Sequence, residues 1–338
     1  MGKNKNNIKI AILIKNYTNN IRDVGDINGL ALYKGLGMNG YTTHLVYLNT
    51  NRKPQEDIIP ITRAIFNKYD VIYASSPKRF FGIMCILFSI IQLKKMYLSV
   101  FDSTIEPAHK GIFGAIFKTL LRLKIIQILA VSKYQRNQIK RKLGYSAKIL
   151  YPCLLKFGYN NKYQKSKNPT ILFAGSTDNK KRGLETIIKA CEIVAQTTPE
   201  LKLIILNKFN QKERQNEPIF NYRKLSFEIE NIGFAKKIEY YYKSSWLYVI
   251  PFNNSKYIPP IPFTFLEAMS YTLPVLTSNL PQFKEIVGKK YTIEPGDSQS
   301  LAKLMINIII NKESIALSNK YFPQRVVNKF ILIVLSQS

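Results

Sequence analysis

Among the acidic side chains of this sequence, Glu267 has the setting that points most directly to ligand chemistry. It stands in the run Phe263-Thr264-Phe265-Leu266-Glu267-Ala268-Met269, just after Pro259, Pro260 and Pro262. Proline is compatible with the first position of a helix, because the N–H it lacks would be unpaired there anyway. If Pro262 is that residue, the amides of Phe263 and Thr264 point out of the helix amino terminus. Free amides and the helix dipole together suit a diphosphate. Glu267, roughly one turn further on, then suits a bidentate grip on ribose hydroxyls, as acidic residues do in many nucleotide folds. The competing reading is an ordinary solvated helical glutamate.

A second cluster is the loop Gly175-Ser176-Thr177-Asp178-Asn179-Lys180-Lys181-Arg182-Gly183, which follows an apolar run and precedes a helical pattern. Its glycines permit tight turns, and three successive cations can neutralise the charge of a departing nucleoside diphosphate. The loop does not have the GxxxxGK[ST] spacing of a P-loop, and a charge run of this kind can also be simply solvated. Gly25 and Gly29 follow the first apolar run but do not make GxGxxG, and loop glycines are common. The histidines, His44 and His109, and the cysteines, Cys85, Cys153 and Cys191, are widely spaced. They offer neither a zinc site nor a disulfide framework, so no metal is expected and a reducing cytoplasm is.

These residues need a scaffold, and 338 residues with 46% apolar side chains can supply two cores, about 150 residues each. Lys and Arg total 50 against 21 Asp and Glu, a net charge of +29. Such a field attracts phosphates, whether of a nucleotide, a nucleic acid or an anionic lipid; a compositional bias spread over every surface would give the same total. Nucleic-acid binding has only this charge behind it, since the RNP aromatic motif and zinc-finger spacing are missing. The opening MGKNKNNIKI runs from polar residues straight into a strand pattern, so no signal peptide is expected. Phe80 to Leu93 is too short to span a bilayer and reads as a core helix. Lys110 to Lys124 places Ile112, Phe113, Ile116, Phe117, Leu120 and Leu121 near helical spacing among cations. That stretch suits either an anionic membrane interface or a domain helix packed on a sheet.

Strand patterns at 8–14, 43–48, 70–74, 95–100 and 125–131 alternate with helical ones at 31–41, 80–93 and 133–144, the last capped by Ser132. A polar, basic stretch between Phe157 and Pro169 reads as a linker. The pattern then restarts with strands at 170–174, 201–206, 246–250 and 275–277 and helices at 184–195, 238–244 and 263–271. This rhythm predicts parallel sheets with right-handed crossovers, one in each half. Ligands of such sheets sit at the carboxyl ends of the strands, here facing a cleft between the halves.

The block IEYYYKSSWLYVIPF…PFTFLEAMSYTLPVLTSNLPQFKEIV resembles the donor-binding core of the retaining glycosyltransferases of family 4. ILFAGSTDNKKRGLETIIKAC, DVIYASSP, AVSKYQRNQIKRKLG and YFPQRVVNKFILIV extend the likeness over most of the chain. The resemblance implies an α/β, GT-B fold: two Rossmann-like parallel-sheet domains facing an inter-domain cleft. The acceptor-side domain would cover 1–160 and the nucleotide-sugar domain 168–315, with a terminal helix in 316–338 packing back on the first. It implies a nucleoside-diphosphate sugar as donor, a glycan or lipid-linked acceptor, retention of configuration and no metal.

By that resemblance Glu267 matches the second Glu of the EX7E motif and holds the donor ribose, while Arg182 or Lys181 matches the lysine on the diphosphate. Phe263 and Thr264 lend amides to the phosphates. The chain also departs from the pattern. Pro259 replaces the first Glu of EX7E, Ser176 the arginine after the glycine, and Phe101 the histidine of an HD pair, leaving Asp102. Gly25 is the nearest counterpart of the family's paired-glycine loop. The alternative these departures leave open is a catalytically impaired GT-B scaffold serving another transferase. The expected location is the cytoplasm, with peripheral attachment to the inner face of the membrane through 110–124.

Overall fold

A computed structural model describes residues 8–18, 23–52, 55–77, 79–101, 111–154, 165–175, 182–206, 225–233, 235, 237–254 and 258–335. The chain forms two compact units. The first comprises Met1–Leu155, Tyr257–Phe263 and Ser318–Ser338; the second comprises Lys156–Lys256 and Thr264–Leu317.

The first unit is built on β1 (Lys9–Tyr17), β2 (Thr42–Thr50), β3 (Ile58–Pro60), β4 (Val71–Ser75), β5 (Met96–Ser99), β6 (Ile126–Ala130) and β7 (Lys148–Ile149). They pair in the order β3-β2-β1-β4-β5-β6-β7, every pair parallel. A strand covered on both faces must be apolar at successive positions, which is why IKIAILI shows no alternation. Ile10, Ile12 and Ile14 enter one core and Ala11 and Leu13 the opposite one.

Helix α1 (Val24–Met38) begins earlier than the sequence pattern suggested, and Gly25 and Gly29 lie inside it rather than in a loop. Asp23 caps it, accepting the Gly25 amide. A Cβ on Gly25 would lie 2.3 Å from the Cβ of Ser76, and one on Gly29 would lie 2.4 Å from Cγ2 of Ile14. These glycines let the helix backbone lie almost on the sheet, a packing demand that has no periodicity to announce it. Buried Asp26 accepts the amides of Lys15 (2.8 Å) and Asn16 (3.2 Å), tying the helix to the end of β1. Burial is the main cause that raises its pKa.

Four further helices follow: α2 (Ile61–Ala64), α3 (Arg79–Ile91), α4 (Gly111–Arg122) and α5 (Lys133–Leu143). As expected, Ser132 caps α5, accepting from the Gln135 amide. In α4, Leu121 is buried and Phe117 and Leu120 pack against the sheet's core, which is the second of the two readings of 110–124. The core-helix reading of 80–93 needs correction. Phe81, Cys85 and Phe88 face the sheet, but Phe80, Ile83, Leu87, Ile90 and Ile91 are exposed. No helix among the described residues is long and apolar enough to cross a membrane.

The second unit carries β8 (Thr170–Ala174), β9 (Lys202–Leu206), β10 (Glu228–Gly233), β11 (Leu247–Ile250), β12 (Val275–Ser278) and β13 (Thr292–Ile293). Their order is β10-β9-β8-β11-β12-β13, again all parallel. Both edge strands were missed by the sequence pattern. β10 reads EIENIG, and Lys202 bridges its Glu228 (2.8 Å) and Glu230 (2.7 Å); charged edges of this kind discourage strand addition and carry no apolar run. Helices α6 (Leu184–Ala195), α7 (Ile238–Ser244), α8 (Phe263–Ser270), α9 (Lys284–Val287) and α10 (Ser298–Asn311) complete it. The expected linker between Phe157 and Pro169 lies outside the described residues as far as Gln164.

The last helix, α11 (Pro323–Leu335), belongs to the first unit and packs on α1. Phe330, fully buried, sets its ring edge-on to Tyr73 at 5.4 Å. Truncation to Phe330→Ala is expected to cost about 3–5 kcal/mol through lost burial and a residual cavity. Urea unfolding of the first unit is the measurement. A loss well under about 1 kcal/mol would mean that α11 is not part of this core.

Candidate functional site

Strand β11 is aliphatic apart from Tyr248, whose ring is completely buried. Its hydroxyl lies 2.9 Å from the carbonyl oxygen of Ala174, the last residue of β8, and 3.0 Å from Oγ1 of Thr264. A phenol has one proton to donate, and a carbonyl oxygen can only accept. Tyr248 therefore donates to Ala174, and the Thr264 hydroxyl donates to Tyr248. The first turn of α8 is thereby fastened to the carboxyl end of β8. Burial raises the Tyr248 pKa and keeps the phenol neutral; the Thr264 hydrogen bond and the Arg182 charge oppose the rise and Glu267 adds to it. Both charged side chains thus act on the same hydroxyl.

Glu267 lies one turn into α8 and is half-buried. The hydroxyl of Tyr242, from α7, donates to its Oε2 at 3.1 Å. Tyr242 is buried and stacked on Tyr271 at 5.8 Å, so it has little freedom to turn away. Burial first, then the Glu267 charge, raises its pKa well above the ordinary tyrosine value. It remains a neutral donor that fixes the orientation of the carboxylate, which distinguishes Glu267 from a glutamate swinging in solvent.

Arg182 sits where β8 leads toward α6. Its guanidinium lies over the ring of Phe252, 5.4 Å from the centroid. A Cβ on Gly175 would approach Arg182 Cδ to 3.2 Å and Nη1 to 3.5 Å, so the missing side chain makes room for the arginine stem. Gly183 precedes α6 with φ +71, and a Cβ there would stand 1.9 Å from the carbonyl oxygen of Pro251. This connection crosses the end of β11 at backbone contact, and that crossing places Arg182 beside Phe252.

Of the residues picked out from the sequence, the second unit brings Arg182, Thr264 and Glu267 together around Tyr248. α8 starts at Phe263, where the helical pattern placed it, and Pro262 precedes the helix instead of being its first residue. Phe263, the one residue of α8 that falls in the first unit, is buried and meets the ring of Phe101 edge-on at 5.7 Å. Pro259 is half-buried. Gly25 lies in the first unit, in the opening turn of α1 against Ser76. Asp102, Ser176, Lys180 and Lys181 lie outside the described residues. Sequence reasoning missed Tyr242, Tyr248 and Phe252, which hold the other three in place. One signal was available for Tyr248: a tyrosine in a doubly covered strand must find a partner for its hydroxyl.

A fixed carboxylate, a guanidinium and a helix amino terminus at the carboxyl ends of parallel strands form a set that can take ribose hydroxyls and a diphosphate. Residues 168–311 match the sequence model of the family described as glycosyl transferases group 1, a stretch that covers most of the second unit. The phosphatidyl-myo-inositol mannosyltransferase of Mycobacterium leprae is 21% identical over 227 residues, covering 64% of this chain and 55% of the mannosyltransferase. The chain thus spans little more than half of that relative. A Rickettsia africae glycosyltransferase structure superposes with a TM-score of 0.72 at 13% identity, covering 98% of this chain and 99% of its own. Anabaena Alr3699/HepE, solved in complex with UDP-glucose, gives 0.68 at 16% identity, covering 98% and 100%. These likenesses establish the GT-B fold with its two parallel-sheet domains.

Gly183→Ala is expected to destabilise the second unit by more than about 2 kcal/mol, because the added methyl group cannot coexist with Pro251 and the backbone is left-handed. Thermal unfolding measures it. An unchanged midpoint would show that the β8–α6 connection does not cross β11 as described.

Proposed function

We propose that the protein is a glycosyltransferase that moves a sugar from a nucleoside-diphosphate sugar, with UDP as the base carrier, to a glycan or lipid-linked acceptor with retention of configuration. The observation that carries this reading is the clustering of Arg182, Thr264 and Glu267 around buried Tyr248, inside the segment that matches the family. The second unit is the donor half and the first the acceptor half. The UDP-glucose bound to Anabaena Alr3699/HepE supports the choice of donor.

Glu267, held by Tyr242, accepts hydrogen bonds from the ribose hydroxyls. The amides of Phe263 and Thr264 receive the diphosphate, helped by the positive end of the α8 dipole. As the glycosidic bond to the diphosphate breaks, negative charge grows on the leaving oxygen, and Arg182 with Lys181 stabilises it. The departing phosphate accepts the proton of the acceptor hydroxyl on the same face, which gives retention without a protein nucleophile. Asp102, Ser176 and Gly25 contact the sugar and acceptor. Cations and dipoles supply the charge stabilisation, so the scheme calls for no metal.

Titration with UDP-glucose and other nucleotide sugars is expected to raise the melting temperature through binding linkage. Glu267→Ala should weaken donor affinity by about tenfold or more, the worth of a charge-assisted hydrogen-bonded pair. Tyr242→Phe should raise the donor KM severalfold with less effect on kcat. Arg182→Ala should lower kcat by about a hundredfold. Stabilisation by no nucleotide sugar would sink the proposal. Donor binding without transfer to any acceptor would favour the impaired scaffold that Pro259 and Phe101 suggest.

A further inference from the structure

Helices α3, α4 and α5 share one face of the first sheet, since Phe81, Cys85 and Phe88, Leu121, and Ile139 all enter the same core. The outward surface of that layer is unusual in two ways. From Val71 to Phe101, and again from Pro107 to Thr177, the sequence contains no aspartate or glutamate. Lys94, Lys95, Arg122, Lys124, Lys133, Arg136, Lys140 and Arg141 are exposed there. In addition, α3 is apolar on its outer side. Phe80, Ile83, Leu87, Ile90 and Ile91 recur at helical spacing and are 46–64% exposed.

The turns that end these helices continue the pattern. In α3 the Leu93 amide bonds to Ile90 O (3.0 Å) and the Lys94 amide to Ser89 O (3.2 Å). In α4 the Lys124 amide bonds to Leu121 O (3.1 Å) and the Ile125 amide to Leu120 O (3.0 Å), the same closure. Its left-handed position usually takes glycine, but here it holds Leu93 (φ 50) and Lys124 (φ 57). Leu93 is 88% exposed and Leu123, just before Lys124, is 65% exposed. These turns lead into β5 and β6, which are adjacent strands. Phe66, 85% exposed, joins them, because the Gln92 side chain donates to the carbonyls of Ile65 (3.1 Å) and Asn67 (2.8 Å). Three apolar tips therefore project beside cations, one of them from a backbone conformation that a leucine rarely adopts and that internal packing does not reward.

We propose that this helix layer docks on an anionic lipid bilayer, with the outer face of α3 and the tips Phe66, Leu93 and Leu123 entering the interface. The cations of α4 and α5 meet the phosphates of the headgroups. An apolar stripe beside the cations of helices that contain no aspartate or glutamate matches a lipid interface, whose acyl boundary takes the first and whose surface potential takes the second. A second copy of the chain would oppose one cationic face with another, and a nucleic acid offers no home for the aliphatic stripe. This assignment moves the membrane contact from α4, where Leu121, Phe117 and Leu120 pack on the sheet, to α3. It stands independently of the transferase reading.

The full chain is to be sedimented with vesicles of phosphatidylglycerol and phosphatidylcholine, and with phosphatidylcholine alone. Binding is expected only to the first, weakening as salt rises. Reversing charge at Lys94→Glu and Lys95→Glu should weaken it about tenfold or more, as should the combined Phe66→Ser, Leu93→Ser and Leu123→Ser variant. Because the tips are exposed, an unchanged melting temperature should confirm that this variant folds. In Leu93→Trp, the added fluorescence should shift to the blue on the anionic vesicles. Failure of the wild type to bind, binding indifferent to the serine substitutions, or a Leu93→Trp emission that does not move would overturn the proposal. So would displacement from the vesicles by RNA at lower concentration than by lipid, or a solution dimer that the serine variant dissolves.

Discussion

One proton on one phenol organises the candidate site. Tyr248 is sealed inside the second sheet, and its hydroxyl cannot be left without partners in that low-dielectric setting. Giving its proton to Ala174 leaves only an acceptor role toward Thr264, and that ties the first turn of α8 to the end of β8. Glu267 then projects from a helix whose start is already located, and Tyr242 settles the rotation of its carboxylate. Arg182 arrives by a different route, through a glycine that crosses the backbone of β11. Two tyrosines and two glycines thus do the positioning, and the charged groups are carried on what they fix.

The first unit uses the same device for a different purpose. Gly25 and Gly29 bring α1 to van der Waals contact with β1 and β4, and Asp26 uses that closeness to accept the amides at the end of β1. The same face is completed by α11, which arrives from the far end of the chain and inserts Phe330 against Tyr73. One helix layer of this sheet is therefore fully occupied. The other, made by α3, α4 and α5, is covered on its inner side only, and its outer side combines cations with aliphatic side chains. The net charge of +29 is consequently uneven in its meaning. Part of it lies beside an exposed apolar stripe, where positive charge and hydrophobic area act together.

The sequence by itself determined the parallel α/β architecture and the place of most central strands, because burial on both faces forces unbroken apolar runs such as IKIAILI and TILFA. It also pointed to Glu267, Arg182 and Thr264 as candidates for the donor site, through their places near a helix start and a strand end and through the family resemblance of the segments that carry them. The edge strands β10 and β13 escaped, the first because a charged edge kept in register by pairing needs no apolar pattern and the second because two residues are too few to show one. Tertiary structure decided the rest. Whether Gly25 is a loop or helix residue depends on the distance to Ser76, which no local signal encodes. Whether α3 or α4 turns an apolar face outward depends on how each helix is rotated on the sheet, and both carry enough apolar residues for either choice. The charges of Arg182 and Glu267 meet at Tyr248 from segments far apart in sequence, and the hydrogen bonds of Tyr248 to Ala174 and Thr264 that bring those segments together exist only once the chain has folded.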